Sequence, residues 1–226
     1  MSYENTKLEK GDYLFLQRFL DATKANLFFA RGILMVEGDA ENLLLPVLAD
    51  VIDYPLEKHG VSIVNVGSTA FLRFSKIFLR SNGKSIDVPI SVITDCDIKP
   101  ELKDEGGKRL FDERIEESQE AVTKKEKKYT MGSVKGFITP RWTLEYCLAL
   151  SCLQDLFHKA IRCGKKIKNS DKYALTKEKM VEIEQEIEND QKQWSALPSS
   201  EKAYRMYDLM SVSYTHLRAH ETSAHL

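Results

Sequence analysis

At 226 residues the chain has room for one sizeable α/β domain with a helical appendage, and not for two enzymatic domains of ordinary size. With 42% hydrophobic and 30% charged residues and few Gly and Pro, it has the composition of a soluble globular protein; disordered and collagen-like classes do not fit, and no apolar run reaches the ~18 residues of a membrane span. Thirty-three Lys and Arg against 34 Asp and Glu give a net charge of -1, so overall basicity offers no pull on nucleic acid, and a DNA partner would have to be held by local patches and metal ions.

Tyr13 to Phe29 carries Leu16, Phe19, Leu20 and Leu27 at roughly helical spacing, and Gly32 ends that pattern. Ile33-Leu34-Met35-Val36 then reads as a buried strand closing on Glu37-Gly38-Asp39. Ala40 to Asp53 follows as a helix with Leu44, Val47, Leu48 and Val51 on one face. Val61 to Val66 is a second strand, ending at Gly67-Ser68 before a helix through Arg80, and Val88 to Thr94 is a third, ending at Asp95-Cys96-Asp97. Lys103 to Lys128, dense in both signs of charge, reads as an exposed loop and helix. Ser133 to Ile138 is a fourth strand, leading into a helix from Thr143 to Ile161; charged Thr176 to Gln193 and Glu201 to Met210 are the last helices.

Strands alternating with helices predict a mostly parallel sheet with helices on its faces, the Rossmann-like α/β class, and a helical C-terminal extension. Working residues in such sheets gather at the carboxyl edge, where Glu37, Gly67-Ser68 and the Asp95/Asp97 pair all fall. Hard divalent cations take oxygen ligands, and two of them close together can activate a water and stabilise the leaving oxygen of a phosphodiester. Glu37, Asp95 and Asp97 are therefore the candidate metal-binding and catalytic residues, the two Asp facing one way if the backbone stays extended. Glu41, four residues after Glu37, is a further candidate, although an acid in a helix's first turn is also favoured by the macrodipole alone. Asp39 reads as an N-cap, and Cys96 as a small filler turned away from the acids.

Val36-Glu37-Gly38 after one strand and Asp95-Cys96-Asp97 after another resemble the two signatures of Toprim domains of primases, topoisomerases and nucleases. Ala25-Asn26-Leu27-Phe28-Phe29-Ala30-Arg31-Gly32 through Glu41, then Leu45-Pro46 and Val66-Gly67-Ser68-Thr69-Ala70-Phe71, are similar to the OLD (overcoming lysogenization defect) family of ATP-dependent endonucleases, and the likeness runs from about Asp21 to Met210. It implies a DNA-cutting enzyme of a prokaryote or its phage, cytoplasmic, using two Mg2+ or Mn2+ ions. Glu37, Asp95 and Asp97 would bind one ion; Glu41 and a Ser/Thr-x-Glu element, matched by Thr143-Leu144-Glu145, would help hold the second. Taken alone, Thr143 and Glu145 are an ordinary helix start.

Family members carry an ATPase domain upstream. Gly83-Lys84-Ser85 is not its phosphate loop, because Phe78 stands where the first Gly of G-x-x-x-x-G-K-[ST] belongs. The domains expected are a linker helix at 1–29, a Toprim nuclease domain at 30–163, its helical part at 164–210 and a tail at 211–226. That tail, with Ser213-Tyr214-Thr215-His216-Leu217-Arg218-Ala219-His220-Glu221-Thr222, resembles a translated sequencing adaptor and is set outside the fold. It begins where members have a lysine thought to stabilise charge at the scissile phosphate, so a truncated, weakly cleaving domain is expected.

Arg73, Lys135 and Arg141 are the candidate DNA contacts, while the lysines of 124–128 and 165–168, interleaved with or flanked by acids, read as solvated helix faces. Four cysteines without a C-x-x-C pair suit a reducing compartment, and His220-Glu221 with His225 has the wrong spacing for a zinc box. Two other functions compete: a Toprim domain of primase or topoisomerase type, and a Mg-binding Rossmann-like regulatory module phosphorylated on Asp95.

Overall fold

Each of the four short apolar runs becomes one strand of a single parallel sheet in the computed structural model of the chain. The structure describes residues 6–19, 25–67, 70–81, 87–105, 108–168 and 174–223; of these, the side chains of 18, 19, 25, 26, 104, 105, 108, 109, 168 and 212–223 are not described. Ser68-Thr69, Gly83-Lys84-Ser85 and the side chains of the adaptor-like tail thus lie outside the described residues. Among the described residues no helix is long and apolar enough to cross a membrane.

Two units divide the chain, and each is made of separated segments. The first comprises residues 1–96 and 116–140, the second 97–115 and 141–226.

In the first unit, β1 (Gly32–Val36), β2 (Val61–Asn65), β3 (Ile90–Thr94) and β6 (Val134–Ile138) lie in the order β2-β1-β3-β6. All three pairings are parallel, with Met35 beside both Val64 and Val92, and Val92 beside Gly136. Period-2 alternation sends Ile33, Met35, Val64, Val66, Ile90, Val92 and Val134 to one face. There they are buried with Leu16 of α1 (Lys10–Phe19), Phe71 and Phe74 of α3 (Phe71–Ser75), and Tyr129 of α4 (Ile115–Tyr129). α2 (Asp39–Val51) connects β1 to β2 and leaves Leu43, Val47 and Val51 exposed. Gly136 lets α4 approach the sheet: a Cβ there would stand 3.1 Å from the Tyr129 Cβ and 3.5 Å from the Glu126 carbonyl. Gly132, with φ +58, turns the chain from α4 into β6, and a Cβ there would meet Leu79 at 2.9 Å.

The helix forecast after Gly67-Ser68 shrinks to five residues, and the one forecast from Tyr13 to Phe29 becomes α1 and a 3-10 turn at Ala25–Phe28. In the first case Ile77, Phe78 and Leu79 are buried in the irregular stretch beyond α3, so their apolarity serves the core without a helix.

The second unit is helical apart from one hairpin, β4 (Glu101–Glu105) with β5 (Lys108–Asp112), where only a charged loop was expected. α5 (Leu144–Leu150), α6 (Gln154–Lys168), α7 (Lys177–Gln193) and α8 (Ser199–Ser223) complete it. The single helix forecast from Thr143 to Ile161 is broken: the Ser151 hydroxyl donates to the Leu148 carbonyl and accepts from the Leu153 N–H, ending one helix and starting the next. Trp142, Tyr146, Trp194, Tyr204 and Met206 form its core, with Leu102 and Phe111 of the hairpin packed against them. Between α6 and α7 the buried His158 and the half-buried Arg162 both bond to Asp190, the His158 Nε2 at 2.8 Å and the Arg162 Nε at 2.9 Å, so the Asp190 carboxylate is satisfied away from water. Burial, and next the Arg162 charge, hold the nearby Lys165 amine below its ordinary value.

Candidate metal centre

Strand order reverses between β1 and β3: the chain leaves β1 for β2 on one side and returns to β3 on the other. Such a reversal opens a crevice at the carboxyl ends of the two strands, the usual ligand position in an open α/β sheet. Glu37 follows β1 and Asp95 follows β3, one on each side of that reversal. Register places Met35 beside Val92, and two residues further on the Thr94 hydroxyl donates to Glu37 Oε2 at 2.8 Å. One Glu37 oxygen is thereby fixed by the neighbouring strand.

Gly38 caps α2 in an extended conformation, which corrects the expectation that Asp39 is the cap. Asp39 is instead the first helical residue, and its Oδ1 accepts from Asn65 Nδ2 at 2.7 Å. Asn65 Oδ1 in turn accepts the Gly67 N–H at 2.8 Å, so one amide ties the end of β2 to the start of α2. Glu41 lies at the third position of the helix and is 7% exposed. Its Oε2 would stand 3.0 Å from a Cβ on Gly38, so the carboxylate folds back over the Glu37–Gly38 turn. Proximity to the helix N-terminus favours its charge.

Asp95 is half-buried, and its backbone lies outside the strand ladder. Lys125 Nζ of α4 donates to the Asp95 carbonyl at 2.7 Å. The Thr139 hydroxyl, just past β6, lies 3.5 Å from Asp95 Oδ1 and accepts the Cys96 N–H at 2.8 Å. Cys96 is 1% exposed, with its thiol 3.5 Å from the Ser118 carbonyl. Thr94, Thr139 and Lys125 were not singled out from sequence. The two threonines carry a faint signal, since both end strands at the edge that holds the acids; Lys125 is hidden in a lysine run.

Asp97 and the Thr143-x-Glu145 element belong to the second unit, and they come together there. The Asp97 N–H donates to the Trp142 carbonyl at 2.9 Å, which sets Asp97 beside the start of α5. Asp97 is exposed and has φ +67. The extended backbone assumed for the Asp95/Asp97 pair is therefore not found, and the alternation argument for their shared orientation falls with it. Thr143 caps α5 by accepting the Tyr146 N–H at 3.2 Å, and Glu145 follows in the first turn. Burial raises the Tyr146 hydroxyl far above its ordinary value, with the nearby Glu113 charge adding to it. Lys99 places its amine 5.2 Å from the Trp142 ring centroid and 5.7 Å from that of Tyr204.

The three basic candidates sit differently. Arg73 lies over the Phe15 ring at 4.3 Å and pairs with Asp12 at 3.6 Å. Lys135 is the second residue of β6, roughly 10 Å along the strand from the carboxyl end that Ile138 marks, and its amine is 5.1 Å from the Phe137 ring centroid. Arg141, half-buried in the second unit, directly precedes Trp142 and Thr143.

The donors at the carboxyl edge are carboxylate and hydroxyl oxygens, the set that Mg2+ and Mn2+ prefer, so their chemistry fits a hard divalent ion. Among the described residues no three His, Cys, Asp or Glu side chains converge as one ligand group. A shell completed by water and phosphate oxygens needs fewer protein ligands than that.

Residues 28–97 match the family model described as the overcoming lysogenization defect protein-like TOPRIM domain. None of the curated proteins matches the chain. Among solved structures, the chain is similar to the C-terminal region of the Xanthomonas campestris pv. campestris OLD protein, at 19% identity over 82% of this chain and 80% of that one, with a TM-score of 0.47. It is also similar to the C-terminal region of the Burkholderia pseudomallei OLD protein, at 22% identity over 81% of each, with a TM-score of 0.45.

Proposed function

We propose, from the match of residues 28–97 to the OLD-like TOPRIM domain model, that the chain is the metal-dependent DNA endonuclease part of an ATP-dependent nuclease. The observation that carries this reading is the placement of Glu37 and Asp95 at the carboxyl ends of adjacent central strands, on either side of the strand-order reversal.

Glu37, Asp95 and Asp97 are proposed as the ligands of one divalent ion; Glu41, Thr143 and Glu145 are proposed as contributors to a second. When bound, two such ions supply an acidified attacking water and offset the charge on the leaving oxygen of a phosphodiester. Thr94 fixes Glu37 Oε2 and leaves Oε1 for an ion. Glu41, folded over the turn, adds negative charge where a cation would rest. Arg141, next to Thr143, is the proposed contact to a DNA phosphate, a fork that suits phosphate oxygens. Arg73, which also pairs with Asp12 and lies over Phe15, and Lys135, whose amine lies near the Phe137 ring, are proposed as further phosphate contacts. An ATPase domain upstream is the partner this reading expects in the full protein.

The test is Mn2+ binding followed by electron paramagnetic resonance, with nicking of supercoiled plasmid measured alongside. Two ions per chain are expected, with binding weakened at least tenfold in Glu37→Ala and in Asp95→Ala. Absence of saturable Mn2+ binding, or alanine variants that bind like the parent, would overturn the reading. A single ion, lost in Asp95→Ala and accompanied by acetyl-phosphate labelling of that residue, would favour a regulatory module instead.

A further inference from the structure

β3 ends at Thr94, so Asp95 lies just beyond the strand. Side chains from two other elements take over. Lys125 reaches from α4 to the Asp95 carbonyl at 2.7 Å. Thr139, at the end of β6, accepts the Cys96 N–H at 2.8 Å while its own hydroxyl points at Asp95 Oδ1 from 3.5 Å. The Thr139 N–H also donates to the Thr94 carbonyl at 3.1 Å, so the threonine is itself fixed against β3.

The geometry points to Lys125 and Thr139 as positioning residues, a two-point clamp that holds the Asp95–Cys96 main chain so that the Asp95 carboxylate is ready for a divalent cation. This inference rests on the metal-binding reading above. Two features separate it from ordinary surface bonding. A lysine gives up side-chain entropy when it is held, and in the run 124–128 it is Lys125 whose amine is held, on the Asp95 carbonyl. Both clamp bonds also end on the same two residues of the candidate D-x-D, where partners one step behind a metal ligand usually set its orientation.

The lysine charge acts in the opposite sense, since a cation beside a cation site disfavours ion binding by Coulomb repulsion. Thr139→Val removes one arm of the clamp without touching charge, and Lys125→Met removes the other arm together with the repulsion. The experiment titrates Mn2+ into the 226-residue chain and its variants by electron paramagnetic resonance, with thermal melts run in parallel. Both variants should weaken Mn2+ by about tenfold or more, and Thr139→Ser and Lys125→Arg should recover most of the loss. Should Lys125→Met or Thr139→Val fail to fold, the conservative partner of each carries the test, and an affinity like that of Asp95→Ala in both conservative variants overturns the clamp. Parent-like affinity in Thr139→Val and Lys125→Met, with Asp95→Ala still deficient, overturns the clamp and leaves the metal site standing. Tighter binding in Lys125→Met overturns it too, because repulsion would then outweigh positioning. If the parent chain binds no Mn2+, or Asp95→Ala binds like the parent, the metal reading itself fails and the clamp goes with it.

Discussion

Asp97 occupies the left-handed region, at φ +67, in a loop whose N–H is pinned to the Trp142 carbonyl. Few side chains tolerate that backbone; Asp and Asn do, because their short polar groups hydrogen-bond locally, and β-branched residues do not. The side chain thus has two separable jobs, to permit the turn and to carry a negative charge. Asp97→Asn keeps the first and removes the second, so it should melt within a degree or two of the parent while losing Mn2+ affinity. Asp97→Val should lose both and cost about 1–2 kcal/mol of stability. Thermal melts and Mn2+ titrations on the pair decide it: a parent-like Mn2+ affinity in Asp97→Asn would remove Asp97 from the ligand set. The D-x-D was visible in the sequence as a pair of acids, whereas its backbone was not, because nothing in Asp-Cys-Asp announces a left-handed residue in the way a glycine would.

A partly buried ion pair ties α1 to the end of α3. Asp12 is 8% exposed, and its Oδ2 takes Lys76 Nζ at 2.6 Å and the Glu9 N–H at 3.2 Å. Burial alone would raise the Asp12 carboxyl, but the Lys76 hydrogen bond, the Glu9 amide and the Lys76 and Arg73 charges together hold it below its ordinary 3.8. Lys76 is raised above its ordinary 10.5, chiefly by its hydrogen bond to Asp12. A carboxylate depressed by folding stabilises fully above its unfolded value and loses that contribution as pH falls through the folded one. A raised lysine stabilises fully below 10.5 and loses its contribution as pH climbs past that. Asp12→Asn should therefore cost roughly 1–2 kcal/mol at pH 7, the low end for a charge-assisted bond because Lys76 is partly exposed. The gap to the parent should close as pH drops below 3.8, which urea melts across pH 2–7 will show; a gap that stays constant into acid would mean packing, not charge, holds α1. Elements of this kind differ in how far sequence betrays them. β1, β2, β3 and β6 were legible because short apolar runs bounded by turn residues are what a two-sided buried sheet demands. The β4–β5 hairpin was not: Lys103 pairs with Glu101 along its own strand at 3.5 Å and with Asp112 across the hairpin at 2.9 Å, but charge-rich strands read as loop until Leu102 and Phe111 find an aromatic core to pack on. Likewise the apolar spacing from Leu144 to Ile161 runs straight through the Ser151 break, because a serine that caps by its hydroxyl looks like any polar residue in a helix.

At the scale of the whole chain, acids and bases cancel to -1, while Glu37 and Asp95 stand side by side at one sheet edge. An edge so charged repels phosphates unless something offsets it, and many of the lysines beyond it are taken: Lys76 by Asp12, Lys103 by Asp112, Lys166 by Glu182 and Glu186. Duplex affinity from phosphate neutralisation alone should be low at physiological salt, because that part of binding scales with the number of phosphates met by free Lys and Arg. Divalent ions held at that edge, as proposed, would offset its carboxylates. DNA binding should then be conditional on metal. With a fluorescent duplex at about 150 mM salt, anisotropy should show affinity at least tenfold tighter in Ca2+, which fills such oxygen sites, than in EDTA. Glu37→Ala should bind alike in both conditions, because it lacks a carboxylate the ion needs. Equal affinity of the parent chain in Ca2+ and EDTA would mean that the phosphates are held by side chains alone, and would separate DNA recognition from the acidic edge altogether.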